Sequence, residues 1–218
     1  MPSLDQSSQY CELDVKSLLL VGGGGHCHSC IDVIEVANIY RIEGVVQPKV
    51  SSDLVMGYPV IGSDENLPQL LKRSKSALIT VGQIKTPETR IRLFSLLKKL
   101  DAELPIVVSP KAYCSKHCVI GEGSIIMHGA FVNAGARIGN NCIVNSQALV
   151  EHGVKIHDHC HISTGARING NVDIGKGSFI GSGVIVREGV SVGEKVIIGS
   201  GQLVMRDIPS GTVMKHVR

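Results

Sequence analysis

The chain has 218 residues, a net charge of +3 and 43% apolar residues, yet aromatics make up only 3% and there is no Trp. So small a charge argues against nucleic acid or an anionic membrane surface as partner, and no apolar run approaches the roughly 18–20 residues of a membrane span. A core without large rings must be built from Ile, Val, Leu and Ala, and 25 glycines without a collagen period suggest a repeat with tight corners.

In chain order, residues 1–14 read as an N-terminal lead-in. They carry acidic and polar groups and do not resemble a signal peptide, so a cytoplasmic location with reduced cysteines is expected. Residues 15–110 alternate short apolar runs with helical stretches. "SLLLV" reads as a buried strand, "GGGGH" as a strand–helix turn and "SCIDVIEVAN" as a helix. "IEGVV" reads as a second strand, followed by "YPVIG", then a short helix "DENLPQLL" and a third strong strand "SALITVG". "TPETRIRLFSLLKKL" is the clearest helix: Thr86 caps it, Pro87 sits at its first position, and Leu93, Leu96, Leu97 and Leu100 share a face. "LPIVV" reads as a closing strand. A βαβ series of this kind predicts a small Rossmann-like parallel α/β domain.

From Val119 the period changes. Fifteen consecutive hexads run to Ile208, and the second position of every one is Ile or Val. The sixth is mostly small. An unbroken run of this length predicts a solenoid over residues 111–208, with 209–218 as a tail. Each hexad is a strand plus a corner, three make a triangular coil, and about five coils stack at roughly 4.7–4.9 Å. The second and sixth positions point inward, the first and third outward, and the fourth and fifth make the corner.

Candidate functional residues concentrate in "EHGVKIHDHCHIS", Glu151 to Ser163, which holds four histidines and a cysteine. His152 falls at a corner, where it is either a catalytic base or an exposed surface group. The hexad register separates His157 from His161 by a corner and turns Cys160 inward, so the alternating histidines do not form one ligand face. Solvated or interface roles are expected for His157 and His159. Gly22 to Gly25 follow a strand and precede a helix, which suits either a phosphate cradle or a tight turn. "CHSC" has redox or zinc spacing but no second ligand pair, and packing explains it better.

The hexads resemble those of the bacterial hexapeptide-repeat acyltransferases. With "LLLVGGGGHCHSCIDVIE" ahead of them, the chain is similar to the group containing sialic-acid O-acetyltransferases and nucleotide-aminosugar N-acetyltransferases. The resemblance implies a left-handed parallel β-helix, a homotrimer with sites between subunits, and acetyl-CoA as cosubstrate lying along the helix. It implies an acceptor held by the α/β domain through Gly23, Gly24, Gly25 and His26. His152 matches the family's general base, and His161 a histidine beside the thioester. Gly170, Ser182 and Ser200 match the CoA groove. Relatives follow the base with an acidic residue, but here that place is Gly153, so Glu151 or Asp158 is a candidate for its support. Relatives also carry acidic residues after the second strand, where this chain has Gln47 and Pro48. The implied reaction is acetylation of the amine of a nucleotide-linked amino sugar, the alternative is O-acetylation of a sialic acid or related nonulosonate, and a non-catalytic binding module is the alternative of another class. A zinc carbonic-anhydrase site is disfavoured: the partner expected 36 residues before His152 is Lys116, and no metal is expected.

Overall fold

The computed structural model describes residues 16–48 and 54–215; the expected lead-in lies outside them. The first apolar run forms β1 (Lys16–Val21), buried on both faces from Leu18 onward, as expected of a central parallel strand. It continues into α1 (Gly25–Ala37), β2 (Tyr40–Val46), β3 (Leu54–Val55), β4 (Tyr58–Gly62), α2 (Leu67–Ser74), β5 (Ala77–Ile79) and α3 (Glu88–Lys99). The sheet order is β3-β4-β2-β1-β5, and every pairing is parallel except β3 with β4. The helix α1 covers one face of this sheet, and α2 with α3 the other.

The chain differs from the sequence reading at two places. Val107–Val108, expected to close the α/β sheet, instead pairs with Ile125–Ile126 and opens the β-helix. "VVSPKA" and "YCSKHC" are hexads in which Val108 and Cys114 take the inward second place, so the column starts before residue 111. The segment expected to be a tail contributes Val213–Met214, which pairs with Ile197–Ile198. Its coil is shortened: Ile197 pairs with Val213, whereas Ile143 pairs with His161 eighteen residues on.

Between these ends the strands stack in three parallel sheets, consistent with a left-handed β-helix. Inward Ile, Val, Ala and Cys side chains form one continuous core from Ile126 to Ile208. Each fully buried branched side chain contributes about 1.5–3 kcal/mol relative to exposure. Fifth-position residues turn the corners in the left-handed region, including Gly153 (φ 67) and, less comfortably, His159 (φ 61).

The three outer faces differ in composition. On the first lie Val107, Ile125, Ile143, His161 and Phe179, covered by the α/β domain; Ile125 and Ile143 join the cluster containing Ile31 and Ile34 of α1. The second carries Tyr113, Phe131, Leu149, Arg167, Ile185 and Leu203, and Tyr113, Phe131 and Leu203 are exposed. The third carries Val119, Arg137, Lys155, Asp173 and Ser191, polar apart from the exposed Val119.

Candidate active site

The apolar second face is bounded by two edges of the prism, and the predicted site residues lie along both. On the edge after Leu149–Val150, His152 is an exposed corner residue. Its imidazole lies over Gly170 of the next coil. A β-carbon built on Gly170 would fall 2.6 Å from His152 Cε1 and 2.7 Å from Nε2, so only glycine leaves room for the ring. Glu151, Asn169, Arg187 and Glu188 line the concavity around it.

Glu151, a candidate for supporting the imidazole, makes no hydrogen bond to that ring in the single protomer. Its Oε2 accepts hydrogen bonds from Asn133 Nδ2 at 2.8 Å and from the His152 backbone N–H at 3.3 Å. Asp158 is also engaged elsewhere, its Oδ1 accepting the Asn140 N–H at 2.7 Å. Gly153 is explained by the backbone: it turns the corner at φ 67, and a side chain there would run into Asn171. An acidic residue at that place would be strained.

The other group of residues lies where the α/β domain meets the first face. His161 is outward, as the hexad register predicts, but buried, 6% exposed. Its Nδ1 donates to the Gln83 carbonyl at 2.6 Å, because a carbonyl can only accept. Its Nε2 lies 3.2 Å from Asn145 Nδ2, and Phe179 packs edge-on at 5.2 Å. Burial, reinforced by the charge of Arg90, lowers its pKa to about 4 despite the opposing bond to Gln83, so the ring is neutral at pH 7.

The glycine turn sits beside this histidine. Val81 packs against Gly22 (φ 115), and the Gln47 side chain packs against Gly23, so a side chain at either glycine would collide. Gly24 is the N-cap of α1 with no side-chain cap, and a β-carbon at Gly24 or Gly25 would meet nothing within 4 Å, so the start of the helix is uncrowded at these glycines. The His26 ring is 6.2 Å from that of His161, and its buried Nε2 has no partner among the described residues. Burial, with Arg90 and His161, depresses its pKa to about 3.

The structure therefore splits the predicted set. His152 and Gly170 share one edge. Ser182, bonded to Ser163 Oγ at 2.9 Å, and Ser200 occupy the other edge, nearer His161 and the glycine turn. Within one protomer His152 stands on the corner between the second and third sheets, whereas His161 lies in the first sheet. His159, expected in a solvated or interface role, is buried between the domains, with Asn141 Nδ2 2.9 Å from its Nδ1 and Phe94 against its ring. His157 is exposed and pairs with Asp173 at 3.0 Å. Sequence reasoning missed Asn145, Gln83 and Arg90. Only Arg90 left a signal, since it precedes Leu93 and Leu97 at helical spacing on the inward face of α3. Among the described residues no group of three or more His, Cys, Asp or Glu could hold a metal ion, and no helix is long and apolar enough to cross a membrane.

The architecture is a hexad prism with a glycine-turn α/β domain on one face and a corner histidine on the far edge. Residues 17–95 match the PglD N-terminal domain, residues 117–152 and 135–170 the bacterial transferase hexapeptide, and residues 171–205 the hexapeptide repeat of succinyl-transferase. The acetyltransferase domain of PglB from Neisseria gonorrhoeae FA1090 is 30% identical (TM-score 0.84; 91% of this chain and 95% of that one covered). PerB from Caulobacter crescentus, in complex with CoA and GDP-perosamine, is 28% identical over 91% of this chain and 93% of that one, with a TM-score of 0.86. WeeI from Acinetobacter baumannii AYE, 21% identical with a TM-score of 0.72 over 91% of this chain and 95% of that one, shares the fold. No curated protein sequence matches. The chain belongs to the hexapeptide-repeat acyltransferases that carry a PglD N-terminal domain.

Proposed function

We propose that the protein transfers the acetyl group of acetyl-CoA to the amine of a nucleotide-linked amino sugar used in bacterial surface glycans. The observation that carries this reading is similarity over 91% of the chain, across both domains, to PerB bound to CoA and GDP-perosamine. The uncapped, uncrowded start of α1 at the glycine turn suits the acceptor's diphosphate, with Gly23, Gly24, Gly25 and His26 around it. In the reaction the amine attacks the thioester carbonyl. His152 takes the proton that the amine loses, a backbone N–H steadies the oxyanion, and the collapsing intermediate expels the CoA thiolate, which receives that proton from His152 and leaves as the thiol.

The site is completed by a second copy. The apolar second face lies between the His152 edge and the edge bearing Ser182 and Ser200. Packing copies head-to-tail through that face sets the His152 edge of one against the His161 edge of the next, and three copies close the ring. This accounts for His152 being exposed and far from His161 in a single protomer. The working location is the cytoplasm, with CoA groove contacts from Gly170, Ser182 and Ser200.

His152→Ala is the direct test. Thiol release from acetyl-CoA should fall by about 10²–10⁴-fold with assembly unchanged. Unaltered turnover would remove His152 from the chemistry.

A further inference from the structure

Three buried side-chain atoms lack a partner among the described residues: His26 Nε2, Gln83 Oε1 and Arg90 Nε. All three belong to the seam between the domains. The segment joining β5 to α3 runs across the first face of the prism. Between the exposed Gly82 and Ile84, Gln83 is only 2% exposed. Its Nε2 donates to the carbonyls of His159 (3.0 Å) and Gly177 (3.3 Å), on successive coils. Its own carbonyl accepts the His161 Nδ1 proton.

Arg90 grips the same segment from α3. Nη1 donates to the carbonyls of Ile79 (2.9 Å) and Val81 (2.7 Å), and Nη2 to the Asn141 carbonyl (3.1 Å) and Oδ1 (2.6 Å). The residue is 1% exposed, and no carboxylate is among these partners. Burying an unpaired cation is costly, and apolar packing would serve stability better. The planar fork reaches four acceptors on two domains at once, which a lysine cannot do.

We infer that Arg90 and Gln83 are positioning residues that fix the orientation and tautomer of His161. Arg90 ties the strand end and the following loop to the Asn141 corner, and Gln83 ties the loop to two further corners. The Gln83 carbonyl is thereby held against Nδ1, which leaves Nε2 as a hydrogen-bond acceptor beside Asn145. The charged or titratable groups facing the ring are His26 from α1 and Arg90 from α3, and Arg90 disfavours a second cation there. The single lone pair of Nε2 accepts from Asn145 Nδ2 at 3.2 Å, so an amide N–H of the acyl donor's arm would reach it by displacing Asn145; that role rests on the function proposed above, whereas the positioning does not.

The test is ¹⁵N NMR of His161 in full-length wild type, Gln83→Ala and Arg90→Lys, without acyl donor or acceptor, alongside thermal melting. The wild type should show a single Nδ1–H tautomer at pH 7. Both variants, still folded, should show the Nε2–H tautomer, with kcat for thiol release about tenfold lower. Arg90→Lys keeps the charge, so its failure to rescue separates fork geometry from electrostatics. If Arg90→Lys does not fold, Gln83→Ala carries the same test. A folded variant with His161 unchanged overturns the inference. A wild type that shows the tautomer but releases no thiol counts against the proposed function alone.

Discussion

An imidazole on an outer corner has few neighbours to orient it, and for His152 the orienting surface is the bare backbone of Gly170. Contact at a β-carbon distance of 2.6 Å leaves no space for a methyl group. Gly170→Ala should therefore swing the ring away and lower kcat about 10–100-fold, since small misplacements of a reacting group are expensive. The backbone at Gly170 is not in the left-handed region, so the melting temperature should hardly move. Steady-state kinetics with a parallel melt checks both, and unchanged kcat would mean that the ring does not need this seat. Gly153 answers the question of the missing acid at the same scale. It occupies a left-handed corner against Asn171, and backbone geometry there selects glycine over a carboxylate.

At the scale of elements, the seam between α1, α3 and the prism has a pH signature. His26 and His161 are held neutral, with pKa values depressed to about 3 and about 4. The unfolded chain binds protons on these histidines near pH 6.5, whereas the fold resists. Their contribution is therefore complete above pH 6.5 and declines as pH falls from there toward about 4. At pH 5 each costs about 1–2 kcal/mol relative to pH 7.5. The urea midpoint should drop over that interval, and drop less in His26→Asn; equal drops would mean that His26 is already protonated in the folded protein. The hexads were the most legible element, because a triangular prism admits one inward residue type at a fixed period and repeats the demand at every coil. Its two ends were less so. Cys114 in the second position breaks the Ile/Val signal, and the shortened last coil breaks the period. The seam was illegible for another reason: Gln83 sits in a loop with no periodicity, and its role depends on two corners 76 and 94 residues away.

At the scale of the whole molecule, one face of the prism is apolar, exposed and flanked by both halves of the candidate site. Phe131 stacks on Tyr113 there with ring centroids 4.5 Å apart, and Leu203 is 58% exposed. If the proposed trimer packs through this face, Phe131→Glu should give monomers in light scattering and abolish thiol release, although His152 is untouched. A monomeric variant with full activity would show that one chain holds a complete site. Residue by residue, the sequence singled out His152, and the fold puts it on a corner that does not adjoin the sheet carrying His161. The central claim is the acceptor class. It is tested most directly by thiol release from acetyl-CoA against a panel of nucleotide-linked amino sugars and free or nucleotide-linked sialic acids. The account predicts release with at least one nucleotide amino sugar and an N-acetyl product by mass spectrometry. Release only with a sialic acid, giving an O-acetyl ester, would contradict it.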